Sequence, residues 1–266
     1  MPADRSSELF ASTAPYYARY RPGYDPALYC LLRERFNLDG TARILDIGTG
    51  TGVLAIPLAR MAARVIAVDP DAGMLAEGTR LAGNAGIANI TWLRGDSASL
   101  HELGIGQVLL AVMGASFHWT DRDQLLDELD NLVLPGGGVV IASGGAPGTV
   151  EPAPWLDMIA RVRARYLGPE RRAGSGTYSH PRETHQDVIA RSPFARTETR
   201  AWDRAVTRTL DEVVGLQYSY SYSSPAQLGD RKDAFDQDLR AALLQFSPGG
   251  RYSETVRTEA IIATRP

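Results

Sequence analysis

Between residues 41 and 143, short apolar runs alternate with longer stretches in which apolar residues recur at the helical period. This alternation is typical of βαβ units, whose parallel strands are buried on both faces. The strands predicted from it span residues 43–47, 65–68, 90–93, 108–113 and 139–143. The helices predicted between them span residues 54–61, 72–85 and 121–133. The pattern therefore predicts a doubly wound α/β core.

The flanking regions have different patterns. The pattern of residues 25–36 predicts an amphipathic helix, whereas residues 6–20 have a less regular pattern and are rich in tyrosine. A Gly/Pro cluster at residues 144–154 precedes a predicted helix at 155–166 and a polar, glycine-rich stretch at 168–180, which we expect to be a mobile loop.

In the last part of the chain, the pattern predicts strands at residues 197–206 and 255–264, which would complete the sheet, and a helix at 232–246. Residues 218–224 alternate tyrosine and serine between helical patterns, which leaves both an extended and a helical conformation open. We expect four parts: an N-terminal helical segment (1–40), an α/β core (41–150), a cap insertion (151–193) and a completion of the sheet with helices (194–266).

Composition narrows the class of partner. The formal charge of -3 over 266 residues gives no electrostatic reason to expect a nucleic acid, so a small-molecule substrate is favoured. Cys30 is the single cysteine, which excludes an intramolecular disulfide and fits a reducing cytoplasm. No secretion signal or apolar stretch of membrane-spanning length is visible. We expect the protein to be cytoplasmic, to be a monomer or homodimer, and not to bind a membrane.

A glycine-rich loop follows the first predicted strand and opens a predicted helix. Its glycines, Gly48, Gly50 and Gly52, would let the backbone turn sharply and approach a ligand. The dinucleotide-binding fingerprint needs its third glycine at the position of Val53, whereas the third glycine of this loop is one residue earlier, at Gly52. Asp46, just before the turn, suits a cationic amino group better than a pyrophosphate.

Two further carboxylates follow the next predicted strands. Asp69 ends the second strand at the spacing expected for a carboxylate that accepts both hydroxyls of a ribose. Asp96 ends the third strand and could accept from an adenine amino group, while the backbone of Ser97 or Ala98 contacts the ring. Together these residues indicate a nucleoside cofactor with a cationic group.

These motifs resemble, in order and spacing, those of class I S-adenosylmethionine-dependent methyltransferases. The family fold is a doubly wound, mostly parallel seven-stranded sheet with an inserted cap. Residues 17–24 and 116–120 narrow the resemblance to the small-molecule branch that includes trans-aconitate-type and natural-product methyltransferases. The resemblance implies that Tyr16, Tyr20 and Arg21 fold over the cofactor and that the segment from Phe117 to Trp119 lies beside its sulfonium. The full set of expected cofactor-binding residues is Tyr16, Tyr20, Arg21, Asp46, Gly48, Thr49, Gly50, Gly52, Asp69, Pro70, Met74, Asp96, Ser97, Ser116, Phe117 and Trp119.

Methyl transfer mainly requires alignment of the nucleophile and exclusion of water. A hydroxyl or ammonium acceptor also needs a base, and His118, directly after the fourth strand region, is the candidate; a purely loop-ordering role is the alternative. His180 and His185 are either solvated or act from a closing lid. The sequence after the fourth strand lacks the carboxylate and amide side chains that would bind Mg²⁺, so we expect no metal.

The sequence therefore predicts transfer of a methyl group from S-adenosylmethionine to an O, N or C atom of a small organic acceptor, with S-adenosylhomocysteine as product and a role in bacterial specialised metabolism. Two alternatives stay open. The chain could bind the cofactor without transferring methyl, as a cyclase or rearrangement enzyme. It could also be a nicotinamide-dependent oxidoreductase, although Val53 disfavours that alternative.

Overall fold

A computed structural model describes residues 12–144, 150–168, 172–173, 176–177 and 183–266. The strands of its main sheet are β1 (Arg43–Ile47), β2 (Arg64–Asp69), β3 (Ile90–Arg94), β4 (Val108–Gly114), β5 (Val133–Ser143), β6 (Arg196–Thr209) and β7 (Arg251–Thr264). The α-helices are α1 (Ala14–Tyr20), α2 (Pro26–Phe36), α3 (Ala55–Ala59), α4 (Ala72–Asn84), α5 (Arg122–Leu132), α6 (Trp155–Leu167), α7 (His185–Ala190), α8 (Leu210–Tyr218), α9 (Pro225–Leu228) and α10 (Lys232–Phe246).

The seven strands lie in the order β3-β2-β1-β4-β5-β7-β6. Strands β1 to β5 pair in parallel, whereas β7 pairs antiparallel with β5. This arrangement confirms the predicted doubly wound, mostly parallel sheet. Because all of β1 to β4 run the same way, their carboxyl ends meet at one edge, where ligands of open α/β sheets bind.

Alternating side chains of each strand enter two hydrophobic clusters on opposite faces of the sheet. In β1, Leu45 and Ile47 belong to one cluster and Ile44 to the other. Helices α5 and α7 pack in the first cluster, and α2 and α3 pack in the second. The central strands are therefore buried on both faces, as their continuous apolar runs predict.

Strand β5 begins at Val133, six residues earlier than predicted, and contains an irregularity. Val108 of β4 pairs with Val133, but Leu110 already pairs with Gly138, so residues 134–137 leave the regular ladder. Gly137 is required there because a Cβ atom on it would lie 2.0 Å from the Leu109 carbonyl oxygen. The glycine segment thus forms a bulge within the strand.

The contacts divide the chain into two compact units. The core unit comprises Gly23–Gly145, His180–Trp202 and Arg257–Pro266. The second unit comprises Met1–Pro22, Ala146–Ser179 and Asp203–Val256. The predicted cap boundary at 193 differs from this division, because Val188 and Ile189 of α7 are fully buried in the first cluster of the core unit. The second unit has its own cluster, in which Trp155, Phe235 and Tyr252 are buried.

Residues 218–224 are neither a strand nor a continuous helix. Helix α8 ends at Tyr218, and a single 3-10 turn follows at Ser221–Ser223. The hydroxyls of Ser219 and Ser223 donate to the carbonyls of Leu216 and Gln217, both at 2.6 Å. Side chains that bond to the local backbone in this way compete with helix propagation, which explains the break.

The predicted loop at 168–180 lies largely outside the described residues, apart from the antiparallel pair Arg172–Ala173 and Gly176–Thr177. Within the described parts of the chain, no helix has the length and apolar character needed to cross a membrane.

Candidate cofactor-binding site

The glycine loop turns back directly after β1. Gly48, Gly50 and Gly52 have φ angles of 67°, 55° and 82°, in the left-handed region that favours glycine. The backbone N–H groups of Gly48 and Thr49 both donate to the carbonyl of Val68 in β2, at 2.8 and 3.0 Å. The loop is thereby fixed to the ends of two neighbouring strands.

Gly48 is required for a second reason, which is its approach to the end of β4. A Cβ atom on Gly48 would lie 2.4 Å from the Cβ atom of Ser116. The Ser116 hydroxyl in turn donates to the carbonyl of Ile47 at 2.6 Å. The loop after β1 and the segment after β4 are therefore in direct contact, as expected for a site at the carboxyl edge of the sheet.

Asp46 lies beneath this loop and is 1% exposed. One carboxylate oxygen, Oδ2, accepts from the Thr49 hydroxyl at 2.7 Å, and the other, Oδ1, is buried without a hydrogen-bond partner. Burial, with a smaller contribution from the charge of Asp69, raises the pKa of Asp46 to about 7. The nearby Thr51 hydroxyl is also buried without a partner.

Asp69 ends β2 and is 8% exposed. Its Oδ2 accepts from the N–H of Gly50 at 2.8 Å, and its Oδ1 accepts from the N–H of Asp71 at 2.9 Å. Each oxygen keeps a second lone pair for a ligand hydroxyl. Burial raises the pKa of Asp69 to about 6, although its two backbone hydrogen bonds oppose the shift.

The remaining residues expected around the nucleoside are more varied. Met74 is buried in the first turn of α4, and the carbonyl of Pro70 accepts from Nε of Arg94 at 3.2 Å. Asp96 and Ser97 are half-buried after β3. The Oδ1 atom of Asp96 accepts from the backbone N–H of Ala98 at 3.0 Å, so this aspartate also stabilises its own turn.

The segment after β4 forms a 3-10 turn at Phe117–Trp119. Phe117 is buried, whereas His118 and Trp119 are half-buried. The rings of His118 and Trp119 lie 5.0 Å apart between centroids. The chain reaches this turn through Ala115, whose φ of 53° is left-handed although it is not a glycine. Such conformations are costly outside glycine and are concentrated at functional sites.

The structure brings His185 next to this turn, a proximity that the sequence did not predict. Its ring is nearly parallel to that of His118, with centroids 6.5 Å apart, and it contacts the Phe117 ring edge-on at 5.1 Å. A nitrogen of Arg122 lies 3.4 Å from Nδ1 of His185. Burial, and then the charge of Arg122, lower the pKa of His185. A separation of 67 residues leaves no local pattern that could reveal this pair.

Tyr16, Tyr20 and Arg21 belong to the second unit. The rings of Tyr16 and Tyr20 stack with centroids 6.4 Å apart, and Tyr16 also contacts Tyr218 at 5.1 Å. Nε of Arg21 donates to the Ser219 hydroxyl at 3.0 Å. These residues therefore form one aromatic and basic cluster, and their contact with the cofactor remains a prediction.

The residues of the core unit fit a nucleoside that carries an ammonium group. The unpartnered Oδ1 of Asp46 is a buried acceptor, which is costly unless a donor reaches it. The left-handed glycines leave three positions of the loop without a side chain, and Asp69 provides a second carboxylate one strand away. Thr51, absent from the predicted set, adds a buried hydroxyl.

Comparison with known proteins relates part of the chain to one family. Residues 44–137 match the family described as "Methyltransferase domain". This stretch extends from β1 to the glycine bulge of β5 and includes the loop, Asp69, Asp96 and His118. Over these residues the chain contains a class I S-adenosylmethionine-dependent methyltransferase domain. The cofactor typical of these methyltransferases is S-adenosylmethionine, which becomes S-adenosylhomocysteine after transfer.

Curated relatives of this chain match to different extents. An uncharacterized methyltransferase of Mycobacterium tuberculosis is 36% identical over 109 residues, which are 41% of this chain and 53% of the relative. The chain thus spans about half the length of the first curated relatives that it matches. A ubiquinone biosynthesis O-methyltransferase of Xylella fastidiosa is 29% identical over 212 residues, covering 79% of this chain and 77% of the relative.

Among solved structures, the fold resembles phosphoethanolamine N-methyltransferase 2 of Haemonchus contortus, in complex with phosphomonomethylethanolamine and S-adenosylhomocysteine. The TM-score is 0.53 at 17% identity, and the match covers 97% of this protein and 57% of that chain. At this identity, the likeness shows the shared fold only.

Proposed function

We propose that this protein transfers the methyl group of S-adenosylmethionine to an O, N or C atom of a small organic acceptor. The observation that carries the proposal is the buried, unpartnered carboxylate oxygen of Asp46 under a loop of left-handed glycines. The relative from Xylella fastidiosa, an O-methyltransferase by name, supports oxygen as the methylated atom most directly. A cytoplasmic role in bacterial specialised metabolism, as a monomer or homodimer, is proposed from the sequence alone.

In this proposal each carboxylate binds a different part of the cofactor. Asp46 accepts from the ammonium of the methionine portion, Asp69 accepts from the ribose hydroxyls, and Asp96 accepts from the adenine amino group. S-adenosylmethionine supplies, when bound, a methyl carbon activated by a positively charged sulfur. Phe117 and Trp119 exclude water beside that carbon, which favours displacement by an aligned nucleophile.

The cofactor assignment is tested by thermal unfolding of the protein with S-adenosylhomocysteine and, separately, with NADH. We expect S-adenosylhomocysteine to raise Tm and NADH to leave it unchanged, since a ligand that binds only the native state stabilises it by mass action. A hundredfold excess over Kd corresponds to about 2.7 kcal/mol. Stabilisation by NADH instead would favour the oxidoreductase and contradict the proposal.

His118 is proposed as the base that takes the proton of a hydroxyl or ammonium acceptor. His118→Ala is expected to lower kcat by about 10²- to 10⁴-fold, the usual contribution of a positioned base. The affinity for S-adenosylhomocysteine should stay within about threefold of the wild-type value. Release of S-adenosylhomocysteine during turnover measures the first quantity, and calorimetry measures the second.

The matched control is His101→Ala, because His101 is an exposed histidine with no proposed role. Full turnover by the His118 variant would remove the base from the mechanism while leaving methyl transfer intact. Product formed without S-adenosylhomocysteine would instead favour the cyclase or rearrangement alternative.

A further inference from the structure

The second unit contains a pocket of about 360 Å³ that is rich in arginine. One wall consists of residues 19–22, from the end of α1 onward, and the other consists of residues 204–206, 208 and 212, from the end of β6 and the start of α8. The charged residues that line it are Arg19, Arg21, Arg204, Arg208 and Glu212.

Two of the arginines share one face of β6. Arg204 and Arg208 are four positions apart, with Val206 midway between them, and alternate positions of a strand point to the same side. Arg208 is 7% exposed and forms an ion pair with Glu254. This guanidinium is therefore neutralised and held in place, whereas the Arg204 side chain is exposed.

Arg21 is half-buried, and no described carboxylate lies within ion-pair distance of it. Its Nε donates to the Ser219 hydroxyl at 3.0 Å, and one terminal nitrogen donates to the Ser219 carbonyl at 3.4 Å. Its guanidinium lies over the rings of Tyr220 and Tyr17, at 4.2 and 4.9 Å from their centroids. The guanidinium is thus fixed in orientation while three of its five N–H groups remain for a ligand.

Glu212 is the acidic residue among the charged lining residues, and its carboxylate already accepts a hydrogen bond from the backbone. Its Oε2 accepts from the backbone N–H of Thr209 at 2.7 Å in the capping box that begins α8. This hydrogen bond lowers the pKa of Glu212, which keeps the side chain ionised and in place. With four arginines and one glutamate, the charged residues that line the pocket are mostly basic.

We propose that this pocket binds an oxyanion, a phosphate or a carboxylate. Guanidinium groups bind both through paired N–H donors, and Arg21 is already oriented for such a contact. The volume exceeds that of a single phosphate and falls in the range of small-molecule sites. The anion therefore has one of two sources, an acidic group on a small organic molecule or free phosphate.

This binding goes beyond methyl transfer and can be measured whether or not an acceptor is methylated. Arg21 also belongs to the expected cofactor-binding residues, so the test leaves it unchanged. The variant is Arg19→Ala combined with Arg204→Ala, neither of which has a proposed role toward the cofactor. The matched control is Arg200→Ala, an exposed arginine of the same strand that pairs with Glu198 at 2.8 Å and does not line the pocket.

Calorimetry with phenyl phosphate and with inorganic phosphate, at low and high ionic strength, tests the proposal. We expect saturable binding that weakens with salt and is at least tenfold weaker in the double variant. The Arg200 variant should stay within about twofold of wild type, because an exposed ion pair outside the pocket contributes little. Tighter binding of phenyl phosphate than of inorganic phosphate identifies an organic anion, and equal binding identifies free phosphate.

The absence of saturable binding, or an equal loss in the Arg200 variant, would overturn the proposal. Binding of S-adenosylhomocysteine, measured on the same three proteins, keeps this result separate from the proposed methyl transfer. A double variant that binds S-adenosylhomocysteine normally but no longer binds phenyl phosphate supports the pocket as an independent site.

Discussion

Replacing Asp69 by alanine is expected to weaken binding of S-adenosylhomocysteine at least a hundredfold. The variant loses the carboxylate proposed to accept both ribose hydroxyls, and hydrogen bonds to a charged group are worth about 1.5–3 kcal/mol each. A hundredfold change corresponds to about 2.7 kcal/mol. Titration calorimetry measures the affinity, and circular dichroism establishes that the variant is folded.

Two companion variants separate ligand binding from loop structure. Asp69→Asn keeps an acceptor for one of the backbone N–H groups of Gly50 and Asp71, so an intermediate loss is expected. Asp71→Asn removes a neighbouring charge but keeps the oxygen that caps α4, and its affinity should change little. An Asp69→Ala protein that is folded and binds with wild-type affinity would refute the ribose contact.

Asp46→Asn is expected to stabilise the unliganded protein while weakening the cofactor complex. The pKa of Asp46 is raised from 3.8 to about 7, so the ionised carboxylate is penalised by burial in the native state. The stability that this group contributes is complete below pH 3.8 and is lost as the pH rises to about 7. Asparagine carries no such penalty, although its buried N–H donors cost about 1–3 kcal/mol when unpartnered.

The rise in the pKa of Asp46 corresponds to a penalty of about 4 kcal/mol for the ionised carboxylate at pH 8. After subtraction of about 2 kcal/mol for the unpartnered N–H donors of asparagine, the net gain for Asp46→Asn in the free energy of unfolding is about 2 kcal/mol. Urea unfolding across this pH range measures it, and the advantage of the variant should shrink toward pH 4. Wild-type affinity for S-adenosylhomocysteine should rise as the pH increases through about 7, because the ammonium needs the ionised carboxylate. The affinity of the variant should be weaker and flat over the same range.

A variant that matches wild type in both stability and affinity would contradict the assignment of Asp46. If the Asp46→Asn variant were as stable as wild type but bound S-adenosylhomocysteine more weakly, only the burial penalty would be contradicted. The proposed contact between Asp46 and the ammonium group would stand. The two readouts therefore test the raised pKa and the ammonium contact separately.

The sequence by itself determined the α/β core and its glycine loop. Strand and helix positions between residues 41 and 143 follow from local hydrophobic periods, which neighbouring residues set without reference to distant ones. The glycines of the loop are equally local, because left-handed backbone angles at Gly48, Gly50 and Gly52 select that residue type at each of these positions. The carboxylates Asp46 and Asp69 were predictable for the same reason, since Asp46 lies near the end of the first recognisable strand and Asp69 ends the second.

Only the tertiary structure decided which distant groups meet. It places the His118 ring beside the His185 ring and packs α7 within the core unit. It also brings residues 19–22 together with residues 204–206, 208 and 212 around the arginine pocket. It also left one oxygen of Asp46 buried without a partner. These features depend on contacts between segments far apart in the chain, and hydrophobic periodicity records only that a face is buried, not which distant residue covers it.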